Sequence, residues 1–89
     1  MQTVELLYEA RQVAERLGYQ IREENLGGVG GGACEFGGRK WLFIDLAQGP
    51  PEQLEALVAT LREDPATASL LEQVSPQLAW HLGWRRAAA

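Results

Sequence analysis

Few residues of this chain have chemical reach. Positions 25–32 read Asn-Leu-Gly-Gly-Val-Gly-Gly-Gly, five glycines in eight residues. Gly28-Val29-Gly30-Gly31-Gly32-Ala33 has the spacing of the dinucleotide fingerprint G-x-G-x-x-[GA]. That fingerprint works only where a helix starts directly after the glycines, because the helix N-terminus holds the pyrophosphate. Here Ala33 to Leu46 carry a strand pattern instead, and 89 residues leave no room for a Rossmann domain. The N–H groups of a glycine loop can still form a nest for an anion. Such a site would use residues 27–32, with Gly28, Gly30, Gly31 and Gly32 as its frame and Arg22, Arg39 or Lys40 helping. The competing reading is steric, because glycine lets a chain cross closely over a neighbour.

Cys34 is the one nucleophile of the thiol type, with His81 and Asp45 as candidate partners. A catalytic thiolate needs such a base, and usually a group that orients it. No cysteine-protease signature surrounds Cys34, and a small buried side chain facing the helices is the commoner role for such a residue. His81, between Trp80 and Leu82, reads as a surface or partly buried histidine. Asp45 ends an apolar strand, where an aspartate commonly ties a loop through its carboxylate. One cysteine and one histidine exclude an internal disulfide framework and a cysteine-based zinc site. Neither metal nor cofactor is expected.

The elements that position these residues follow from periodicity. Leu6, Leu7, Ala10, Val13, Ala14 and Leu17 form one stripe of a helix, with Thr3 as its expected N-cap and Gly18 as the residue that ends it. Tyr19 to Glu24 alternates as a strand with one buried face. Residues 33–36 and 39–46 flank Gly37-Gly38, a two-residue turn signal, and so form a hairpin. Trp41, Leu42, Phe43 and Ile44 are apolar on both faces, which places that strand at the sheet centre. Pro50-Pro51 starts a helix whose stripe is Leu54, Leu57, Val58 and Leu61. Asp64-Pro65 and Ser75-Pro76 each pair a capping residue with a proline at the first helical position, so two short helices follow. The expected architecture is α+β. A small antiparallel sheet of about three strands carries the N-terminal helix and two to three C-terminal helices on one face. Residues 1–86 make one domain and 87–89 a loose tail.

The order of these elements resembles the start of ImmA/IrrE-type metallopeptidase domains. The carriers are Leu17-Gly18, the YQIREE strand, the glycine-rich approach to a hairpin, Ile44-Asp45-Leu46, and the helix PEQLEALVATLRED. That family implies a helix bearing H-E-x-x-H, in which two histidines hold zinc and the glutamate acts as general base. With Leu57-Val58 aligned to the apolar pair before that motif, Ala59, Thr60 and Glu63 take the His, Glu and His positions. The resemblance therefore implies a shortened relative without zinc peptidase chemistry. The chain is also similar to small bacterial proteins with a Gly-Gly-x-Cys hairpin before a Leu-rich helix, a likeness that implies no activity.

Composition sets the remaining bounds. Hydrophobic residues make up 46% and charged residues 22%, the balance of a globular domain. With 12 acidic and 8 basic residues the net charge is −4, which argues against a nucleic-acid binder. No basic n-region or apolar run marks a signal peptide, and no stretch is long enough to span a membrane, so a cytoplasmic location is expected. Three tryptophans are many for so small a core, and Trp80 and Trp84 near the C-terminus are candidate interface residues. These features favour a non-catalytic module that binds a protein partner or itself as a homodimer. The alternatives are an anion-binding protein built on loop 27–32 and thiol-dependent chemistry at Cys34.

Overall fold

The computed structural model of the chain describes residues 2–83. Trp84 and the expected tail at 87–89 lie outside the described residues. The elements in order are α1 (Thr3–Arg16), β1 (Tyr19–Glu24), β2 (Gly32–Phe36), β3 (Arg39–Asp45), α2 (Pro50–Glu63), a 3₁₀ segment (Pro65–Gln73) and α3 (Pro76–His81). The class is α+β, as the sequence predicts. No described helix is long and apolar enough to cross a membrane.

The helices follow their stripes. In α1 the buried residues are Leu6, Leu7, Ala10, Val13 and Ala14. Its N-cap is Gln2, which makes no side-chain cap bond, and the expected cap Thr3 is already helical. Gly18 leaves the helix at a φ of 96°, in the left-handed region that glycine enters without strain. In α2, Leu54, Leu57, Val58 and Leu61 are buried. Glu52 reaches back to accept from the Gly49 N–H at 3.0 Å, satisfying a donor that the helix start leaves open. Asp64 caps the next segment by accepting from the Ala66 N–H at 2.9 Å, and Ser75 caps α3 by accepting from the Leu78 N–H at 3.2 Å. Between those caps the expected short helix forms as a 3₁₀ run. Its first half, Pro-Ala-Thr-Ala-Ser, holds Thr and Ser, which favour local bonds over the α ladder. Thr67 is buried and its hydroxyl donates to the Leu61 carbonyl at 2.7 Å, closing the end of α2.

The sheet departs from expectation in one respect. Its order is β1-β3-β2, with β2 antiparallel to β3 but β1 parallel to it. The sheet is therefore mixed, not antiparallel. The cause is the connection from β1 to β2, which passes over the end of β3 and leaves the central slot for β3 to fill. The hairpin itself forms as predicted. Gly37 and Gly38 have φ values of 60° and 76°, both positive as a type I′ turn requires.

One face of this sheet meets the helices. Leu42 and Ile44 join Leu6, Leu7, Leu57, Leu61, Leu78 and Leu82 in a single buried cluster. Leu57 and Leu61 are fully buried, so cutting either to alanine would cost about 2–5 kcal/mol. The opposite face carries Trp41 and Phe43, which alternation turns away from that cluster. The Cα envelope measures 45 × 30 × 16 Å, and its thin axis is the depth of one helix layer on one sheet.

Candidate functional site

Three places in this frame gather the residues with chemical reach. The first is the end of β3. Asp45 is almost fully buried. Its Oδ1 accepts from the Leu26 and Ala47 N–H groups and its Oδ2 from the Gly30 N–H, each at 2.9 Å. Burial pushes this carboxyl up, yet backbone donors at Gly30, Leu26, Ala47 and Gly28 outweigh it and hold the group below the usual carboxylate range. The Asp45 carbonyl accepts from Gln48 N–H and from Gln53 Nε2, so the turn into α2 hangs on the same residue. The nest of the glycine loop thus holds a carboxylate of the protein itself.

The loop glycines divide by role. Gly27, Gly28 and Gly30 take positive φ values of 72°, 86° and 102° to wrap the carboxylate. At Gly31 a Cβ would stand 1.8 Å from the Phe43 carbonyl oxygen, so only glycine lets the chain cross there. At Gly32 a Cβ would meet nothing within 4 Å. Of the basic residues expected beside the loop, Arg22 is on the loop half of β1, while Arg39 and Lys40 stand at the hairpin end. Arg22 pairs with Glu24 at 2.9 Å on β1. Arg39 stands at the hairpin end of β3, at the opposite end of the sheet from Asp45.

The second place is that hairpin end. Lys40 Nζ donates to Asp64 Oδ2 and to the Leu17 carbonyl, both at 3.1 Å, and lies 4.2 Å from the centre of the Tyr19 ring. The Tyr19 hydroxyl donates to the same Asp64 oxygen at 2.8 Å. Burial, then the hydrogen bond and charge of Asp64, then the charge of Glu35, push the Tyr19 phenol up to about 12. Asp64 is held below the carboxylate range by the Ala66 N–H first, then by Tyr19 and Lys40, against burial. Lys40 and the Tyr19 hydroxyl converge on the same Asp64 oxygen, so the cluster is a clamp joining the end of α1, β1, β3 and the end of α2. Beside it a cleft of about 540 Å³ opens between β2 and α2, lined by Ala33, Glu35, Ala56, Ala59, Thr60 and Glu63 among others.

The third place is the uncovered sheet face and its β2 edge. Alternation puts Cys34 and Phe36 of β2 on the same side as their partners Trp41 and Arg39. Phe36 is 78% exposed, while Trp41 and Phe43 are half-buried by their sheet neighbours. Cys34 is exposed, which corrects the expectation of a small side chain facing the helices. Alternation in GACEF alone would turn Cys34 and Phe36 inward and Glu35 outward, and the hairpin register overrides it by pairing Cys34 with Trp41. His81 lies on α3, in the helix layer, and Asp45 is enclosed by its loop, so neither is placed to serve Cys34 as base or orienter. Among the described residues no three His, Cys, Asp or Glu side chains converge as a metal site. Trp80, on α3, is 60% exposed.

Two residues that tie the layers together carry no motif. Glu9 accepts from the Ser75 N–H at 2.7 Å and from its hydroxyl at 2.6 Å, fixing α3 against α1. Gln53 Nε2 bridges the Asp45 and Gln48 carbonyls. The only sequence signal for Glu9 is its place on the polar side of α1, shared with several other residues. No protein-family model, curated protein or solved structure matches the chain.

Proposed function

We propose that this chain is a non-catalytic interaction module that associates with a second copy of itself through its sheet. One observation carries the reading. The sheet has helices on a single face, and the other presents Phe36, Trp41, Phe43 and Cys34 with no described helix over them. Exposed aromatic area of this kind marks contact surfaces. A second copy brings the same surface, and a symmetric pair is the commonest form of assembly.

The test is light scattering on the eluting peak over a hundredfold concentration range. The expected mass rises from 9.8 kDa toward twice that value. Phe36→Ser should shift the transition to higher concentration, while Trp80→Ser, in the helix layer, should leave it in place. A mass of 9.8 kDa throughout would remove the reading.

A further inference from the structure

We infer that the second copy docks edge to edge, with β2 pairing antiparallel to β2 of the copy about a two-fold axis at Cys34. The result is one six-stranded sheet in the order β1-β3-β2-β2-β3-β1. The inference rests on the self-association proposed above and places its contact at the β2 edge, which brings in Phe36 and Cys34 of that face and leaves Trp41 and Phe43 of β3 outside the seam.

The two free edges of the sheet differ in protection. β1 carries Arg22, Glu23 and Glu24, and Arg11 of α1 forms an ion pair with Glu23. Charges of this kind guard an edge against pairing. β2 reads Gly-Ala-Cys-Glu-Phe, with Glu35 its one charge against three on β1, and is exposed from Ala33 to Phe36. The less charged edge is the better template for another strand.

Backbone phase fixes which groups are offered. The two-residue turn at Gly37-Gly38 makes Phe36 and Arg39 a hydrogen-bonded pair. Alternation then turns the backbone groups of Cys34 toward β3 and those of Ala33 and Glu35 toward the free edge. Pairing centred on Cys34 sets Ala33 against Glu35 of the copy, with hydrogen bonds at both such pairs. It sets Phe36 over Gly32 of the copy, a large side chain over the residue without one. Centring on Glu35 instead would oppose two carboxylates directly, which is unfavourable. The Cys34 register is thus the one that uses the whole strand with no like charges opposed. On the helix side, the flank of α2 along this edge is Ala56, Ala59 and Thr60, with Glu63 beyond them, and the cleft it borders is open.

At the axis the two Cys34 residues form a pair without mutual backbone bonds, where Cα atoms stand about 4.5 Å apart. That lies within the roughly 4.4–6.8 Å span of a disulfide. The full chain is treated with diamide, which takes up the two electrons and two protons that the thiols lose. It is run on a non-reducing gel, with light scattering at the same concentrations. A Cys34-linked dimer is expected wherever light scattering gives a dimer. Glu35→Pro removes an outward N–H without touching the ladder to β3. It should cut the linked yield at least tenfold and return the chain to monomer. Ala33→Glu, which opposes Glu35 of the copy, should weaken the dimer several-fold, and Ala33→Lys should strengthen it, so the outcome does not rest on the proline variant folding. A dimer that forms without the Cys34 link, or that ignores these variants, overturns the edge geometry and leaves self-association standing. A monomer at every concentration, unlinked by diamide, overturns both.

Discussion

At the two ends of β3 a carboxylate gathers separate parts of the chain, and the means are opposite. Asp45 takes its partners from the backbone: the N–H groups of Leu26, Gly30 and Ala47. Asp64 takes one backbone N–H, from Ala66, and two side chains, Tyr19 and Lys40. Backbone donors are placed by the path of the chain, so the loop and its aspartate stand or fall together. Side-chain donors can be removed one at a time. The first end is therefore expected to be all-or-none, and the second graded.

The strongest test of that contrast is Asp45→Ala. It strands several backbone donors in a closed place, a mechanism at the severe end for single substitutions. The Tm, followed by circular dichroism, should fall by on the order of 15 °C or more, and the loop should become sensitive to protease. A fall of only a few degrees would mean that the loop holds its path without the carboxylate.

Gly31→Ala against Gly32→Ala sharpens the same end. A Cβ at Gly31 would overlap the Phe43 carbonyl, whereas one at Gly32 would enter open space. Chemical denaturation should show a loss of roughly 3 kcal/mol for the first. The second should lie within about 1 kcal/mol of the unsubstituted chain. Equal effects would mean that glycine flexibility, not the crossing, sets the sequence.

The smallest effects belong to the clamp. Tyr19→Phe removes one charge-assisted hydrogen bond, roughly 1–2 kcal/mol at neutral pH. Its sign with pH is the sharper reading. The Tyr19 phenol lies at about 12 when folded, against its ordinary value of 10. Its contribution is present below pH 10 and is lost as pH rises through 12. The carboxyls of Asp45 and Asp64 are depressed, so their contributions are present above about pH 4 and are lost as pH falls through the folded values. Denaturation midpoints across pH should therefore decline at both extremes. Tyr19→Phe should remove its share of the alkaline decline while an acid limb from Asp45 remains.

How far these features are legible from residue types follows the same division. The stripes of α1 and α2, the Gly37-Gly38 turn and the proline caps are local, and each is written within a few residues. Asp45 is suggestive, since an aspartate closing an apolar strand is out of place unless something binds it. Its partners are not legible, because backbone N–H groups have no residue type. The parallel pairing of β1 with β3 is likewise hidden. Tyr19 to Glu24 alternates in the same way whichever direction its neighbour runs, and the direction is settled by pairing with a strand 21 positions further along. The outward face of Cys34 depends on the register of the hairpin, which GACEF alone does not set.

The crossing of residues 25–31 over β3 also imposes an order in time. β2 and β3 are joined by two residues and can pair within microseconds, whereas β1 must find β3 across the whole hairpin. Until it does, the apolar run Trp41-Leu42-Phe43-Ile44 has an unpaired side. The newly made chain passes through a period when its most aggregation-prone segment is half-covered, and the arrival of β1 and the closing of the loop around Asp45 end that period together.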